Sequence, residues 1–317
     1  MMKKTISQCM IVKNEEKNIR RALSWGKDIM CEQIVVDTGS SDRTVEIARE
    51  MGAKIFFFPW IYDFAAAKNF AIDQAKGDWI AFLDADESFT PEDKKKIPEI
   101  FEYVGEDVDG LLTGIVDLDE NNNITCGGTM IRFFVNRPDL RYVGKIHEHL
   151  VRKGRSGLHL TDATKQLAFL HTGYQEQEKK DKSKFERNLN IILEILKQEP
   201  ENCDYLGYLG DTYSSDGKNE EARDAYKKAV AAMPEKLEIY DQRSSYTYTN
   251  LLRVSQCLNA PEAEVEAIYK EAVEKLPKEP DFDCVMGDWY WRKGRYEKAV
   301  QMYELAIAKL ETYGTVN

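Results

Sequence analysis

An apolar run, WIAFL, ends on three residues that could do chemistry: Asp84, Ala85 and Asp86. On extended backbone, residues two apart project to the same side, so both carboxylates could face one cation. Mg²⁺ and Mn²⁺ are commonly held by one or two carboxylates together with substrate phosphates, and a diphosphate leaving group supplies such oxygens. An acidic triplet alone is a weak signal. Its position after a strand that reads as buried strengthens it, because charge delivered there is costly unless a ligand or cation offsets it. Asp37, at the end of QIVVD, is a second acid at a strand terminus, suited to accept hydrogen bonds from a base or ribose. Asp42 fits better as the cap of the following helix. The sequence has four histidines, and three of them fall in two suggestive places, His147 and His149 in GKIHEHL and His171 in AFLHTGY. Glu148 is the first candidate for a general base and His147 the second; the bland alternative is an ordinary strand with Glu148 exposed. The HEH spacing does not match the HExxH zinc pattern. Lys68 and Asn69 open a helix, where they could meet phosphate or sugar hydroxyls or else face solvent. Trp60, with Tyr62 and Asp63, could line a pocket or form a connector.

The elements that must position these residues follow from the chain's rhythm. From Ile6 to about Leu83, short β-rich runs alternate with amphipathic stretches, which means βαβ units and a mostly parallel sheet. WIAFL reads as a central strand, and ligands of such sheets bind beyond the carboxyl ends of strands. After Pro91 come a helix and two strands, GLLTGIVDL and ITCGGTMIRFFV, joined across DENNN as an antiparallel extension. A charged stretch, 175–184, then breaks the pattern, and the chain is helical beyond it. The domain boundary is placed between 178 and 179. Leu206, Leu209, Gly210, Tyr213, Ala222, Tyr226, Ala229 and Pro234 fall at tetratricopeptide spacing. Met286, Gly287, Tyr290, Ala299, Tyr303 and Ala306 repeat the pattern, and Leu252, Tyr269, Ala272 and Pro277 echo it. A helix over 185–197 starts the stack. Such a tail could be a structural cap, a partner surface or the seat of a homodimer. Trp289 and Trp291 are expected in its core.

With 317 residues the chain can bury a sizeable core. A formal charge of −11 disfavours nucleic acid and anionic membranes as partners. The run at Arg152 to Arg155 reads as a solvated loop. The six cysteines show no CxxC pair and read as reduced, mostly buried thiols. The short apolar opening ends at NEE, so no leader or membrane span is expected, and the protein reads as cytosolic.

MIVKNEE, IVVDTGSSDRT, DFAAAKNFA and GDWIAFLDADE together resemble the nucleotide-diphospho-sugar (GT-A) fold of glycosyltransferase family 2, over about half the chain. The resemblance implies an inverting, metal-dependent transferase using a nucleotide sugar, with UDP-glucose or UDP-N-acetylglucosamine the expected donor. It places Asp37 on the nucleotide and gives Asp84 and Asp86 an Mg²⁺ or Mn²⁺ ion that bridges the diphosphate, with Ala85 between them against the donor. His171 would complete the metal or diphosphate site. Members with tetratricopeptide tails include peptide S-glycosyltransferases, so a peptide or protein acceptor is attractive, while saccharide acceptors are common among similar enzymes. A nucleotidyltransferase is disfavoured because the chain opens with MIVKNEE rather than a Gly-rich phosphate loop. A tetratricopeptide adaptor with a dead α/β domain is disfavoured by Asp37, Asp84, Asp86 and HEH occurring together.

Overall fold

A computed structural model describes residues 4–172, 182–238 and 241–314. The chain divides into two compact units, 1–181 and 182–317; the boundary expected between 178 and 179 falls outside the described residues.

The first unit opens with the expected alternation: β1 (Ile6–Val12), α1 (Ile19–Ser24), β2 (Glu32–Asp37), α2 (Thr44–Glu50), β3 (Lys54–Phe57), α3 (Phe64–Asp73) and β4 (Trp79–Phe82). These strands lie parallel in the order β3-β2-β1-β4. The chain therefore winds one way from β1 and returns on its other side, which creates a switch point between β1 and β4 where a ligand crevice forms. All four residues of β4 are buried, as a strand covered on both faces must be. At the turn before it, a Cβ on Gly77 would overlap the backbone of Ser7, so only glycine lets the chain enter β4 there. The N-cap of α3 is Asp63, whose carboxylate accepts from the Ala66 amide at 2.8 Å, a contribution of about 1 kcal/mol.

The rest of the unit is β5 (Glu87–Phe89), α4 (Pro91–Tyr103), β6 (Gly110–Leu118), β7 (Ile124–Val135), β8 (Leu140–Val143), β9 (His149–Arg152), β10 (Leu160–Asp162) and β11 (Ala168–His171). β7 runs antiparallel to both β4 and β6, and β11 joins β6 in parallel, which completes the order β4-β7-β6-β11-β5. On one face Phe101 meets Trp79 and Phe133 edge-to-face and Phe89 lies tilted on Phe133; on the other Phe82 and Phe134 pack on Tyr142. Arg152 does not lie in a solvated loop: it sits in β9 and clamps Asp109 at 2.8 Å.

The second unit is helical: α5 (Lys182–Gln198), α6 (Cys203–Ser215), α7 (Asn219–Ala232), α8 (Gln242–Cys257), α9 (Glu262–Lys275), α10 (Asp281–Arg292) and α11 (Tyr296–Tyr313). The glycines of its pattern are steric. A Cβ at Gly210 would overlap the Tyr226 ring, and one at Gly287 would overlap Tyr303. Each tyrosine then donates its hydroxyl to an acid on the glycine-bearing helix, Asp211 and Asp288, at 2.7 Å. A cleft of about 490 Å³ opens beside α8 and α10, with Arg253, Gln256, Asp288, Trp291 and Arg292 on its walls. Trp289 is core, but Trp291 is 56% exposed, against expectation. The thiols also differ from expectation: of six free cysteines only Cys9 is buried, and Cys31, Cys126 and Cys257 are exposed.

Candidate active site

β4 ends at Phe82, and Asp84, Ala85, Asp86 and Glu87 form a turn rather than extended backbone. The turn is closed reciprocally: the Glu87 amide donates to the Asp84 carbonyl (3.1 Å) and the Asp84 amide to the Glu87 carboxylate (3.0 Å). Each aspartate has its own hydrogen-bond partners, while the His171 charge acts on Asp84 as well as on Asp86, so the two sets adjoin. Ala85 points its side chain into the core with Met10, Val12 and Ile19, so only its backbone borders the site.

The Asp84 cluster is a chain of buried charges. Arg132, 5% exposed on β7, donates from Nη2 to Asp84 (3.2 Å) and to Glu87. Lys68, likewise 5% exposed, places Nζ 3.9 Å from Asp84 and 2.7 Å from Glu148. It is held over the rings of Phe82 and Tyr142 at 5.1 and 5.0 Å. Lys68 therefore does not face solvent. Burial works against its charge, yet Asp84 and Glu148 outweigh burial and hold the ammonium above its ordinary pKa. For Asp84 burial opposes ionisation, and Lys68 with Arg132 overcomes it, so its carboxyl lies below the ordinary range. Glu87 goes the other way: burial, reinforced by the Asp84 charge, pushes it up to about 7 despite Arg132. Arg132 Nε is buried without a hydrogen-bond partner.

The Asp86 cluster is smaller. His171 Nε2 lies 3.4 Å from an Asp86 carboxylate oxygen, and its Nδ1 is 2.7 Å from Asp117. Burial alone would lower the imidazole, but Asp86 and Asp117 raise it to about 9. The turn is tied down behind: Thr172 donates its amide and hydroxyl to the Asp86 carbonyl, and Arg21 of α1 reaches the Thr172 hydroxyl at 2.7 Å. Among the described residues no three His, Cys, Asp or Glu side chains are grouped to hold a metal. Asp86 and His171 supply one oxygen and one nitrogen, and Asp117 orients the imidazole as an outer partner does. That donor set fits a divalent ion whose other positions are filled by phosphate oxygens and water.

The other expected site residues fall as follows. Glu148 joins the Asp84 cluster through Lys68, half-buried just ahead of β9 rather than exposed on a strand. His147, beside it, is exposed with a left-handed φ of 53°. Asp37 is 4% exposed and folds its carboxylate over its own turn, accepting from Gly39 and Ser40 amides at 3.1 Å. Asp42 sits one residue before the N-cap, Arg43, and accepts from the Thr44 amide at 3.0 Å. Asn69 exchanges two 2.9 Å bonds with the Tyr142 backbone, which pins β8 to α3 and takes its amide away from a ligand. Trp60 packs on Phe64 and Tyr62.

Residues 7–146 match the family described as "Glycosyl transferase family 2", and 205–235 and 285–314 match tetratricopeptide repeats. The first unit is a glycosyltransferase family 2 domain with the GT-A fold, and the second is a tetratricopeptide-like helical domain. The SPbeta prophage-derived glycosyltransferase SunS of Bacillus subtilis is 33% identical over 231 residues, 71% of this chain and 53% of that protein. A TPR repeat-containing protein of Synechococcus elongatus is 32% identical over 67% of this chain and 53% of that protein. The chain thus spans about half the length of the curated relatives it matches. Among solved structures, S. aureus TarS is similar at 14% identity over 83% of this chain and 54% of that one, with a TM-score of 0.45.

Proposed function

We propose that this chain transfers a sugar, with inversion, from a UDP-sugar to a peptide or protein acceptor. The observation that carries the reading is the pairing of Asp86 with His171 at the carboxyl end of β4, backed by Asp117 and set beside Asp84, which Lys68 and Arg132 neutralise. Mn²⁺ suits a carboxylate–imidazole pair better than Mg²⁺, which favours an all-oxygen shell. When bound, the ion supplies charge stabilisation to the departing diphosphate.

The protein's own groups divide the remaining work. Asp37, at the outer end of β2, borders the nucleotide side of the crevice between β1 and β4, and the backbone of Ala85 borders the donor. Lys68 and Arg132 hold Asp84 ionised, and Trp60 rims the pocket. The acceptor's lone pair forms the new bond to the anomeric carbon while the bond to the diphosphate oxygen breaks and its electrons leave with the nucleotide. The acceptor proton passes to Glu148, with His147 as the alternative base. Lys68, at 2.7 Å from Glu148, holds that carboxylate in place.

No helix among the described residues is long and apolar enough to cross a membrane. A homodimer through the helical tail is supported by the exposed Val300, Leu305 and Ile307 of α11. The test is release of nucleoside diphosphate from a panel of nucleotide sugars with Mn²⁺ or Mg²⁺, for wild type and Asp86→Ala. Turnover of one donor, lost in the variant, supports the reading and names the sugar. A protein that binds no donor with either metal is an adaptor instead.

A further inference from the structure

β7 pairs with β6 along nearly its whole length, from Ile124 to Phe134, but with β4 only over Phe133–Val135. Among the described residues, its edge on the β4 side is therefore without a strand partner from Ile124 to Ile131. Ile124 to Met130 are all exposed, and at Gly127 and Gly128 the exposed surface is the main chain itself. An open edge is a template for another strand, and proteins usually guard one with charges or proline. The segment ITCGGTM holds neither.

The open edge flanks the chemistry. Arg132, next along the strand, grips Asp84. Cys126 lies opposite Asp117 on β6, and Asp117 lies opposite His171 on β11. At the usual spacing of about 4.8 Å between strands, the β7 backbone at Cys126 runs about 10 Å from the β11 backbone at His171. Glycine inside a strand costs about 0.5–1 kcal/mol and marks a bulge or a close approach by another backbone. At Gly127 the chain's own packing does not require it: a Cβ there would meet only the Ile115 carbonyl oxygen, at 3.6 Å, an ordinary contact.

The geometry points to Cys126–Met130 as the seat of an extended peptide acceptor, which adds a strand along β7 and so carries its nucleophilic side chain to the sugar. The inference rests on the transferase reading above. A row of unpaired amides and carbonyls at strand spacing is matched by another extended backbone and not by a saccharide's hydroxyls. Asp119 and Glu120 beside the edge, with the chain's net charge of −11, select a neutral or cationic peptide.

The full chain is incubated with Mn²⁺, the donor found above and a library of short unstructured peptides, each with one Cys or Ser, and products are read by mass spectrometry. For a peptide that is glycosylated, methylating its backbone nitrogens one at a time should raise KM about tenfold at every second position, the cost of one or two lost hydrogen bonds. Gly127→Val, which keeps strand propensity, should raise the peptide KM similarly while its melting temperature and its affinity for UDP with Mn²⁺ match wild type. An N-methyl scan without a period of two, an unchanged KM in Gly127→Val, or turnover of saccharides alone overturns the peptide seat and leaves the transferase reading standing. So does a dimer that Gly127→Val dissociates, since the edge then belongs to a second copy. A chain that binds neither Mn²⁺ nor UDP overturns the transferase reading, and the seat with it.

Discussion

His171 and Asp117 share a 2.7 Å contact that leaves the opposite ring nitrogen aimed at Asp86. Removing an outer carboxylate of this kind costs metal affinity by roughly 10- to 100-fold. Asp117→Asn should therefore weaken Mn²⁺ binding by about that factor while the fold persists, and His171→Ala should weaken it further. Titration of the Mn²⁺ electron-resonance signal with and without UDP checks both.

The same histidine makes metal uptake depend on pH. With its pKa at about 9, His171 is charged at neutral pH in the metal-free protein, and the metal takes only the neutral ring. Binding should release close to one proton at pH 7, and affinity should rise until pH passes about 9. Calorimetry in two buffers of different ionisation heat measures the proton. For stability without metal the sign is the opposite. The folded pKa is raised above the ordinary 6.5, so the contribution is full below 6.5 and fades as pH climbs through about 9. Thermal melting of wild type against His171→Gln from pH 6 to 10 should show the two curves converging at the alkaline end.

Lys68 and Glu148 should separate structure from chemistry. Lys68→Met strands a half-buried Glu148 and exposes Asp84 to Arg132 alone, a loss of about 3 kcal/mol from the broken pair. Its melting temperature should fall by several degrees together with activity. Glu148→Gln keeps the hydrogen bond and the shape and leaves Asp84 to balance Lys68, so its melting temperature should fall less than that of Lys68→Met while transfer drops by roughly a hundredfold or more. A Glu148→Gln variant that keeps the wild-type transfer rate would rule out Glu148 as the base.

Gly210→Ala tests the helical unit. The added methyl must displace the Tyr226 ring, which is fully buried and bonded to Asp211. Overpacking of this sort costs about 2 kcal/mol. Calorimetry should show the helical unit melting earlier and the family 2 domain unchanged.

The alternation of strands and helices up to β4, the acids at the ends of β2 and β4, and the glycine–tyrosine pairs of the repeats all have sequence periods that can be read directly. The short strands β5, β8, β9, β10 and β11 have three or four residues each, too few to show a period, and they are where the site is completed. Extended backbone was the natural expectation for Asp84 to Asp86; the reciprocal bonds with Glu87 turn the chain instead, and each acid takes its own hydrogen-bond partners. Glu87 and Arg132 were missed, although a signal existed. An arginine inside MIRFFV, an apolar run, must find a buried acid, and the acid that follows DAD is the nearest in chemistry. Asp117 carried no such mark, because its role comes only from the register that sets β11 beside β6. Asn69 is a reminder that a polar residue next to a site residue can serve the backbone.

The pairing of β11 with β6 also sets a timetable. The turn that carries Asp86 leaves the ribosome early, while His171 arrives at the end of the domain and finds its place only once β6 is there to receive it. A chain caught unfinished has Asp84 and Asp86 but not the imidazole that the proposed metal site needs. On that proposal it would bind no metal there until the whole domain has been made.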